Sequence, residues 1–258
     1  MLEQITILGG LDKSGHPEKI QRIEAAAGEV LAVAGPTGSG KTQLISDIEQ
    51  HAEYETLTGR RVLINNQLVN KSKDKRHLRY LIAQVSQNMN FVIDMSIEEF
   101  LTMHAQVRSI HDPGNTIMKV LEITNHLSGE PVTFSTNLTQ LSGGQSRALM
   151  VADVALISNA PVVLIDEIEN AGIDRLQALE ILTGQGKIVL VVSHDPTLML
   201  MAEQRIIMKN GGMEKVCRTT QEERKVLADL TRVEKKMAGL RDYLRKGYSI
   251  GQDTDLND

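Results

Sequence analysis

The 258-residue sequence has little cysteine, few aromatic residues and no long apolar run. Its single cysteine, Cys217, cannot form an internal disulfide or a cysteine-ligated metal cluster, which is typical of a protein from a reducing cytoplasm. Aromatic residues make up 3% of the chain and tryptophan is absent, so we expect no base-stacking surface and no direct binding of nucleic acid. The longest apolar runs, such as residues 188–192, reach five residues, whereas a membrane-spanning helix needs about 20. The chain is therefore not predicted to cross a bilayer.

The residues that are present have the composition of an ordinary globular protein, with 41% hydrophobic residues, 24% charged residues and a formal net charge of −5. Fibrous and disordered classes are thereby excluded. Short aliphatic runs at residues 29–34, 161–166 and 187–192 predict buried β-strands.

Helical patterns alternate with these strands. Apolar side chains have helical spacing in residues 44–48, and residues 95–109 and 116–127 are also predicted to be helices. Ser96 and Glu99 are placed to form a capping box at the start of the second of these helices. Buried strands that alternate with helices predict an α/β fold with a mostly parallel sheet covered on both faces.

The segment between residues 60 and 79 is strongly basic, with seven lysine and arginine residues against one acidic residue, Asp74. Runs of like charge are usually solvated, because each charge would have to lose its hydration to become buried. We interpret the whole segment, Arg60 included, as a solvated face or loop.

The segment at residues 222–246 is predicted to be a helix with a heptad stripe, because its apolar residues recur at alternating steps of four and three. Between residues 224 and 246 there are eight basic and three acidic side chains, which gives a local charge of +5. Such a helix can pack on its own domain, but we expect it to dock a partner or a second subunit. The stripe consists of Val226, Leu230, Val233, Met237, Leu240 and Leu244.

Residues 35–42, hereafter the phosphate loop, fit the pattern G-x-x-x-x-G-K-[ST] and lie between a predicted strand and a predicted helix. Glycines let successive backbone N–H groups curl round phosphates, and the helix that follows adds its positive end. Lys41 would reach the β and γ phosphates, and the Thr42 hydroxyl would bind Mg²⁺. The predicted nucleotide-binding residues are Gly35, Pro36, Thr37, Gly38, Ser39, Gly40, Lys41 and Thr42.

Two carboxylates, Asp166 and Glu167, close the second buried strand. Ligands in open α/β sheets bind at the carboxyl edge of the strands, so both side chains are candidates for the same site. We expect Asp166 to hold Mg²⁺, directly or through water, and Glu167 to polarise the attacking water.

A second anion-binding pattern, Leu-Ser-Gly-Gly-Gln at residues 141–145, precedes a helix predicted at residues 147–157. We call residues 141–145 the serine nest, because a Ser-Gly-Gly sequence at a helix start offers backbone donors and a hydroxyl to an anion. One nucleotide presents a single terminal phosphate, so a second nest on the same chain needs an explanation.

With these three motifs in this order, the chain resembles an ABC-type ATPase. The phosphate loop matches the Walker A motif of that family, the serine nest matches its LSGGQ signature, and residues 162–167 match its Walker B motif with the catalytic glutamate. The resemblance covers roughly residues 1–215 and implies a P-loop NTPase fold with a RecA-like core.

The resemblance also implies Mg²⁺-dependent hydrolysis of ATP to ADP and phosphate, with Glu167, His194 and Gln87 as catalytic residues. Gln87 stands where the family has its Q-loop glutamine, and His194 matches the switch histidine. The ligands of Mg²⁺ implied in this way are Thr42, Gln87 and Asp166. The family stacks adenine on an N-terminal aromatic residue, but here His16 is the only ring in residues 1–40.

A head-to-tail pair of subunits is a further implication of the resemblance, and it explains the second nest. In such a pair, one subunit caps the ATP bound at Lys41 of the other, so that each phosphate is shared between two chains. The resemblance leaves open whether the two subunits are identical. The capping residues are Ser142, Gly143, Gly144 and Gln145.

We expect a cassette at residues 1–218, built from a RecA-like core at 1–90 and 155–218 and an inserted helical subdomain at 91–154. Residues 219–258 would form the helical tail. The implied function is the ATP-hydrolysing subunit of a transporter that drives a separate membrane permease, cytoplasmic or held at the inner face of the membrane by that permease. The alternative is a soluble ATPase that remodels a cytoplasmic protein or a cofactor-assembly complex.

Overall fold

The computed structural model describes residues 3–68, 81–86, 90–166 and 172–249, and these ranges contain ten strands and seven helices. The strands are β1 (Gln4–Leu8), β2 (Arg22–Ala26), β3 (Val30–Ala34), β4 (Arg61–Ile64), β5 (Gln67–Leu68), β6 (Ile82–Ser86), β7 (Val162–Asp166), β8 (Ile188–Val192), β9 (Gln204–Lys209) and β10 (Gly212–Arg218). The helices are α1 (Lys41–Glu49), α2 (Ile97–Val107), α3 (Pro113–Ser128), α4 (Gly143–Leu156), α5 (Arg175–Gly184), α6 (Pro196–Met201) and α7 (Gln221–Arg245). None of the helices in this part of the chain is both long and apolar enough to span a lipid bilayer.

A six-stranded sheet with the order β10-β9-β3-β8-β7-β6 forms the centre of the protein. All its neighbouring strands are parallel except the edge pair β9 and β10. One face packs on α4, α5 and α6, and the other packs on α1 and a second sheet. The three predicted strands correspond to β3, β7 and β8, whose side chains are buried on both faces, so the predicted mostly parallel sheet is confirmed.

The second sheet is antiparallel, with four strands in the order β2-β1-β4-β5. Alternate residues of β1, Ile5 and Ile7, are fully buried against the six-stranded sheet and α1. Because β2 belongs to this sheet and directly precedes β3, the sheet holds in place the chain that leads through β3 into the phosphate loop.

The helical unit consists of α2, α3 and the outer side of α4, which share an apolar cluster that includes Leu101, Val120 and Leu149. The predicted capping box is present at the start of α2, where the side chains of Ser96 and Glu99 each accept a hydrogen bond from the other's backbone N–H. Helix α3 begins earlier than predicted, because the Asp112 side chain caps it and proline follows in the first turn.

Arg60 is completely buried, so our prediction that the whole basic segment is solvated is wrong for this residue. Its guanidinium donates to Glu18 at 2.5 Å, to Asp47 at 2.9 Å and to the carbonyl oxygen of Gly211 at 2.7 Å. Counting charges along the chain missed these acceptors because they lie far away in sequence. The rest of the basic segment from residue 69 onward lies outside the described residues.

We expect Arg60→Met to lower the free energy of unfolding by about 3–5 kcal/mol, because Glu18 and Asp47 would remain buried without their counter-ion. Arg61→Met is the matched control, since the Arg61 guanidinium lies over the Tyr54 ring at 4.4 Å, and Tyr54 is 59% exposed. That contact contributes about 0.5–1 kcal/mol. Urea denaturation followed by circular dichroism measures both losses, and equal losses would contradict a structural role for the Arg60 cluster.

Helix α7 confirms the predicted C-terminal helix, and two ion pairs, one near its start and one near its middle, attach it to the rest of the protein. Glu223 pairs with Arg205 at 2.6 Å, and Glu234 pairs with Arg175 at 2.7 Å. The heptad stripe is not buried in the core: Val226, Val233, Met237 and Leu244 are 46–57% exposed, and Leu230 and Leu240 are half-buried.

Candidate nucleotide-binding site

The phosphate loop connects β3 to α1, and its shape depends on glycine at two positions. Gly35 and Gly40 have φ angles of 149° and 101°, a region that disfavours residues with a Cβ atom. A Cβ atom on Gly35 would lie 2.5 Å from the carbonyl oxygen of Met208, and one on Gly40 would lie 2.8 Å from Cα of Gly211. Both positions therefore require glycine for the backbone angle and for close approach to the β9–β10 turn.

Three polar side chains of the phosphate loop are placed to bind an anion. The Lys41 ammonium is folded back on the loop and donates to the carbonyl oxygens of Gly35 at 2.7 Å and Pro36 at 3.1 Å. The buried hydroxyl of Ser39 has no hydrogen-bond partner within the described ranges, and Thr42 is exposed in the first turn of α1. These groups fit a nucleotide phosphate, which would accept hydrogen bonds from the ammonium and the hydroxyls.

The strand register brings further predicted residues to the carboxyl edge of the sheet, beside the phosphate loop. Val33 of β3 and Asp166 of β7 both pair with Val192 of β8, and His194 lies two residues after Val192. Ser86, the last residue of β6, pairs with Asp166 on the other side. The strand that leads to His194, β8, thus lies between the strand that enters the phosphate loop, β3, and the strand that ends at Asp166, β7.

Two predicted catalytic residues, Gln87 and Glu167, lie outside the described residues. They directly follow Ser86 and Asp166 in the sequence. Their roles in catalysis and in binding Mg²⁺ therefore stay predictions.

The serine nest lies at the start of α4, on the helical unit. Ser142 is exposed and its hydroxyl accepts from the Gln145 N–H at 3.2 Å, while the Gln145 side chain accepts from the Ser142 N–H at 2.9 Å. This capping box starts the helix at Gly143, four positions before the predicted residue 147, because the glycine pair forms part of the first turn. The serine nest is therefore a helix N-terminus with an exposed hydroxyl, which is suited to bind an anion that another molecule presents.

The segment after β8 is held in place by a series of hydrogen bonds. The Ser193 hydroxyl accepts from the Asp195 N–H at 2.9 Å, and Asp195 caps α6 by accepting from the N–H of Thr197 at 2.8 Å. The other oxygen of Asp195 accepts from Arg175 at 2.6 Å. Arg175 was not predicted to belong to the site, because no local pattern relates it to His194.

Lys13 is a second residue near the site that the sequence did not reveal. Its exposed ammonium donates to the carbonyl oxygen of Gly38 in the phosphate loop at 2.7 Å. His16, the only ring available for adenine in this region, belongs to the same turn, and its side chain is 79% exposed. The backbone N–H of His16 donates to Asp12 and lowers the pKa of that carboxyl group.

Comparison with known proteins gives matches over most of the chain. The ABC transporter family model matches residues 21–170. An uncharacterized ABC transporter ATP-binding protein of Methanocaldococcus jannaschii is 51% identical over 251 residues, which cover 96% of this chain and 95% of that protein. An energy-coupling factor transporter ATP-binding protein of Staphylococcus aureus is 28% identical over 221 residues, which cover 78% of this chain and 74% of that protein.

A similar fold occurs among solved structures. CbiO1 of Clostridium perfringens, part of the ABC transporter complex CbiONQ, matches with a TM-score of 0.64. The two sequences are 21% identical, and the match covers 90% of this chain and 98% of that chain. This similarity confirms the predicted α/β fold of the P-loop NTPase class.

Proposed function

The chain belongs to the ABC transporter family of ATP-binding proteins, and on this premise we propose that it is the Mg²⁺-dependent ATP-hydrolysing subunit of a transporter. The observation that carries the proposal is the phosphate loop at the sheet edge, where the Lys41 ammonium bonds to the loop's own carbonyl oxygens. Asp166 and the His194 segment end the neighbouring strands at this edge. Such an arrangement supports phosphoryl transfer by positioning and charge stabilisation.

When ATP binds, Lys41 would exchange the loop carbonyl oxygens for oxygens of the β and γ phosphates. Bound Mg²⁺ would neutralise charge on the same phosphates, and Thr42, Gln87 and Asp166 would hold it. The N–H groups of the phosphate loop would surround the phosphates, with the start of α1 directed at them.

The remaining chemistry would fall to two side chains that follow β7 and β8. Glu167 would orient the attacking water and accept its proton, while His194 would face the γ phosphate and stabilise charge in the transition state. Purified protein should therefore release phosphate from ATP with Mg²⁺, and chelation of the metal should stop this release.

The serine nest supports a site shared between two subunits. It is a separate helix N-terminus on the helical unit, and a single nucleotide presents one terminal phosphate. In a head-to-tail pair, the residues Ser142–Gln145 of one subunit would cap ATP on the phosphate loop of the other. A shared site makes closure of the pair depend on ATP, and closure would be the step that does mechanical work.

Closure of the pair of subunits would drive a conformational change in a separate membrane permease. The names of two similar proteins support that partner, since one is an energy-coupling factor transporter protein and the other is part of a transporter complex. In this proposal the cassette spans residues 1–218, with its helical subdomain at 91–154 and the tail at 219–258, on the inner face of the membrane. The alternative, a soluble ATPase that remodels a cytoplasmic complex, draws support from the exposed stripe on α7.

Purification of the tagged chain from its native cells, in mild detergent, distinguishes these two functions. A transporter subunit should co-purify in stoichiometric amount with a protein that has several membrane spans. Recovery only from the soluble fraction, with a soluble partner in fixed ratio, would support the remodelling ATPase and contradict the transporter assignment.

Helix α7 would dock an acidic helix of a partner protein rather than a second copy of itself. Parallel self-pairing along the stripe sets Asp229 opposite Glu234 and Lys236 opposite Arg241, since flanking positions five residues apart face each other. Antiparallel pairing with full overlap sets each Lys236 against its own copy. Because both arrangements oppose like charges, self-pairing is disfavoured, and the net charge of +5 carried by residues 224–246 as a whole favours an acidic partner helix.

A synthetic three-heptad peptide with leucine in its seam and glutamate on its flanks should bind the full chain, and salt should weaken the binding. Met237→Asp should abolish this binding without changing the melting temperature, because Met237 is 46% exposed. Fluorescence anisotropy of the labelled peptide measures the affinity. Equal binding of a lysine-flanked peptide, or self-association of the chain through α7 without ATP, would contradict the proposed partner.

A further inference from the structure

The segment that carries His194 is linked to the C-terminal helix by hydrogen bonds of an arginine and a threonine. Arg175, the first residue of α5, donates to Asp195 at 2.6 Å with one terminal nitrogen and to Glu234 of α7 at 2.7 Å with the other. The same oxygen of Glu234 accepts a hydrogen bond from the Thr197 hydroxyl at 2.9 Å. Glu234 thus contacts both the arginine and the helix that follows the histidine.

These contacts are better placed to hold a fixed geometry than an ordinary surface ion pair. The side chains of Arg175, Asp195 and Glu234 are 21%, 15% and 33% exposed, so solvent screens them incompletely. The planar guanidinium fixes the direction of both hydrogen bonds. By contrast, the pair between Arg232 and Asp229 on the same helix has side chains that are 69% and 70% exposed.

The position of Asp195 is coupled to that of His194 because the two residues are adjacent in sequence. One carboxylate oxygen of Asp195 caps α6 by accepting from the N–H groups of Thr197 and Leu198. The other oxygen is held by Arg175. A displacement of Arg175 would therefore shift the backbone at the end of β8, where His194 leaves the sheet.

We infer that Arg175 is a positioning residue for ATP hydrolysis, and that Glu234 makes the C-terminal helix part of the apparatus that places His194. The inference rests on the proposed function, since it assigns His194 to the γ phosphate. In the assembled site, α7 orients Arg175, Arg175 orients Asp195, and Asp195 fixes the histidine segment. Within the described part of the chain, no hydrogen bond or ion pair joins Arg175, Asp195 or Glu234 to the phosphate loop, so we expect nucleotide binding not to depend on them.

The expected result for Glu234→Ala in the full chain is a decrease in kcat of about 10-fold, with KM for ATP within about 2-fold of wild type, because a small misplacement of a catalytic group lowers the rate of the chemical step. Arg175→Ala should lower kcat further, by up to about 10²-fold. Glu234→Gln should recover part of the rate, because the amide oxygen still accepts from Thr197 and Arg175.

The kcat of the double variant Arg175→Ala/Glu234→Ala distinguishes a positioning role from a purely structural one. The double variant should be no slower than Arg175→Ala, because both substitutions break the same connection and their effects are not additive. Asp229→Ala is the matched control on the exposed face of α7, and its kcat should equal that of wild type. Melting temperatures of all variants, measured in parallel, separate loss of positioning from loss of folding.

Three outcomes would overturn the inference: equal kcat for Glu234→Ala and Asp229→Ala, a decrease in kcat that only follows the melting temperature, or additive effects in the double variant. The variant Glu167→Gln is measured in the same series, so that failure of the positioning role can be distinguished from failure of the proposed ATPase function. If Glu167→Gln is inactive and Glu234→Ala is fully active, the positioning role is wrong while the ATPase assignment stands. If wild type hydrolyses no ATP, the proposed function itself fails.

Discussion

Replacing Glu167 with glutamine is expected to lower ATP turnover by about 10²–10⁴-fold and to leave ATP binding intact. Glu167 follows Asp166 at the carboxyl end of β7, where the strand register places Asp166 beside the strand that leads to His194. The amide keeps the size and shape of the side chain but cannot accept a proton from the attacking water. Because ATP would persist in the site, the variant should accumulate as an ATP-bound dimer.

Phosphate release under saturating ATP and size-exclusion chromatography with and without ATP test the two parts of this prediction. Glu169→Gln is the matched control, since it removes a carboxylate two residues further along the chain and should hydrolyse ATP at a rate close to that of wild type. Turnover of Glu167→Gln at the wild-type rate, or a variant that stays monomeric with ATP, would contradict the assignment of Glu167 as the base.

A comparably large loss of hydrolysis is expected for Ser142→Arg, in this case without weaker binding of nucleotide to the isolated subunit. Ser142 is exposed at the start of α4, and a bulky cation there would prevent this serine nest from capping the ATP bound by a second subunit. The phosphate loop of the same chain is not altered. Nucleotide affinity measured below the concentration at which subunits pair should therefore match that of wild type, while phosphate release should fall to background.

Ser142→Ala provides the control for folding. Both variants lose the cap of α4, which contributes about 0.5–2 kcal/mol, but only arginine adds a steric and electrostatic block. Ser142→Ala should keep measurable turnover. If its activity is as low as that of Ser142→Arg at equal melting temperature, the block would not be the cause.

Much of the fold could be predicted because its signals are local. A run such as Val30–Ala34 is apolar at every position since a central parallel strand is buried on both faces. The phosphate loop could also be predicted, because the backbone has a positive φ angle at Gly35 and Gly40, and this local conformation favours glycine. The capping box of α2 is equally local, since its two side chains lie one helical turn apart.

The features that the sequence did not reveal depend on residues that only the fold brings together. Arg175 and Glu234 are 59 positions apart, and Arg60 and Glu18 are 42 positions apart. Charge patterns along the chain describe sequence neighbours and cannot show which carboxylate will face which arginine. For this reason the charge pattern predicts a solvated Arg60, and it gives no sign of the link from α7 to the His194 segment.

The sharing of each ATP between two chains is tested most directly by mixing Lys41→Ala with Ser142→Arg, each of which should be inactive alone. In a mixed dimer, the intact phosphate loop of the Ser142→Arg chain faces the intact serine nest of the Lys41→Ala chain. An equal mixture should recover about a quarter of the wild-type rate, since half of the dimers are mixed and each holds one working site. No recovered activity, although mixed dimers are detected by differential tagging, would contradict a site shared between subunits.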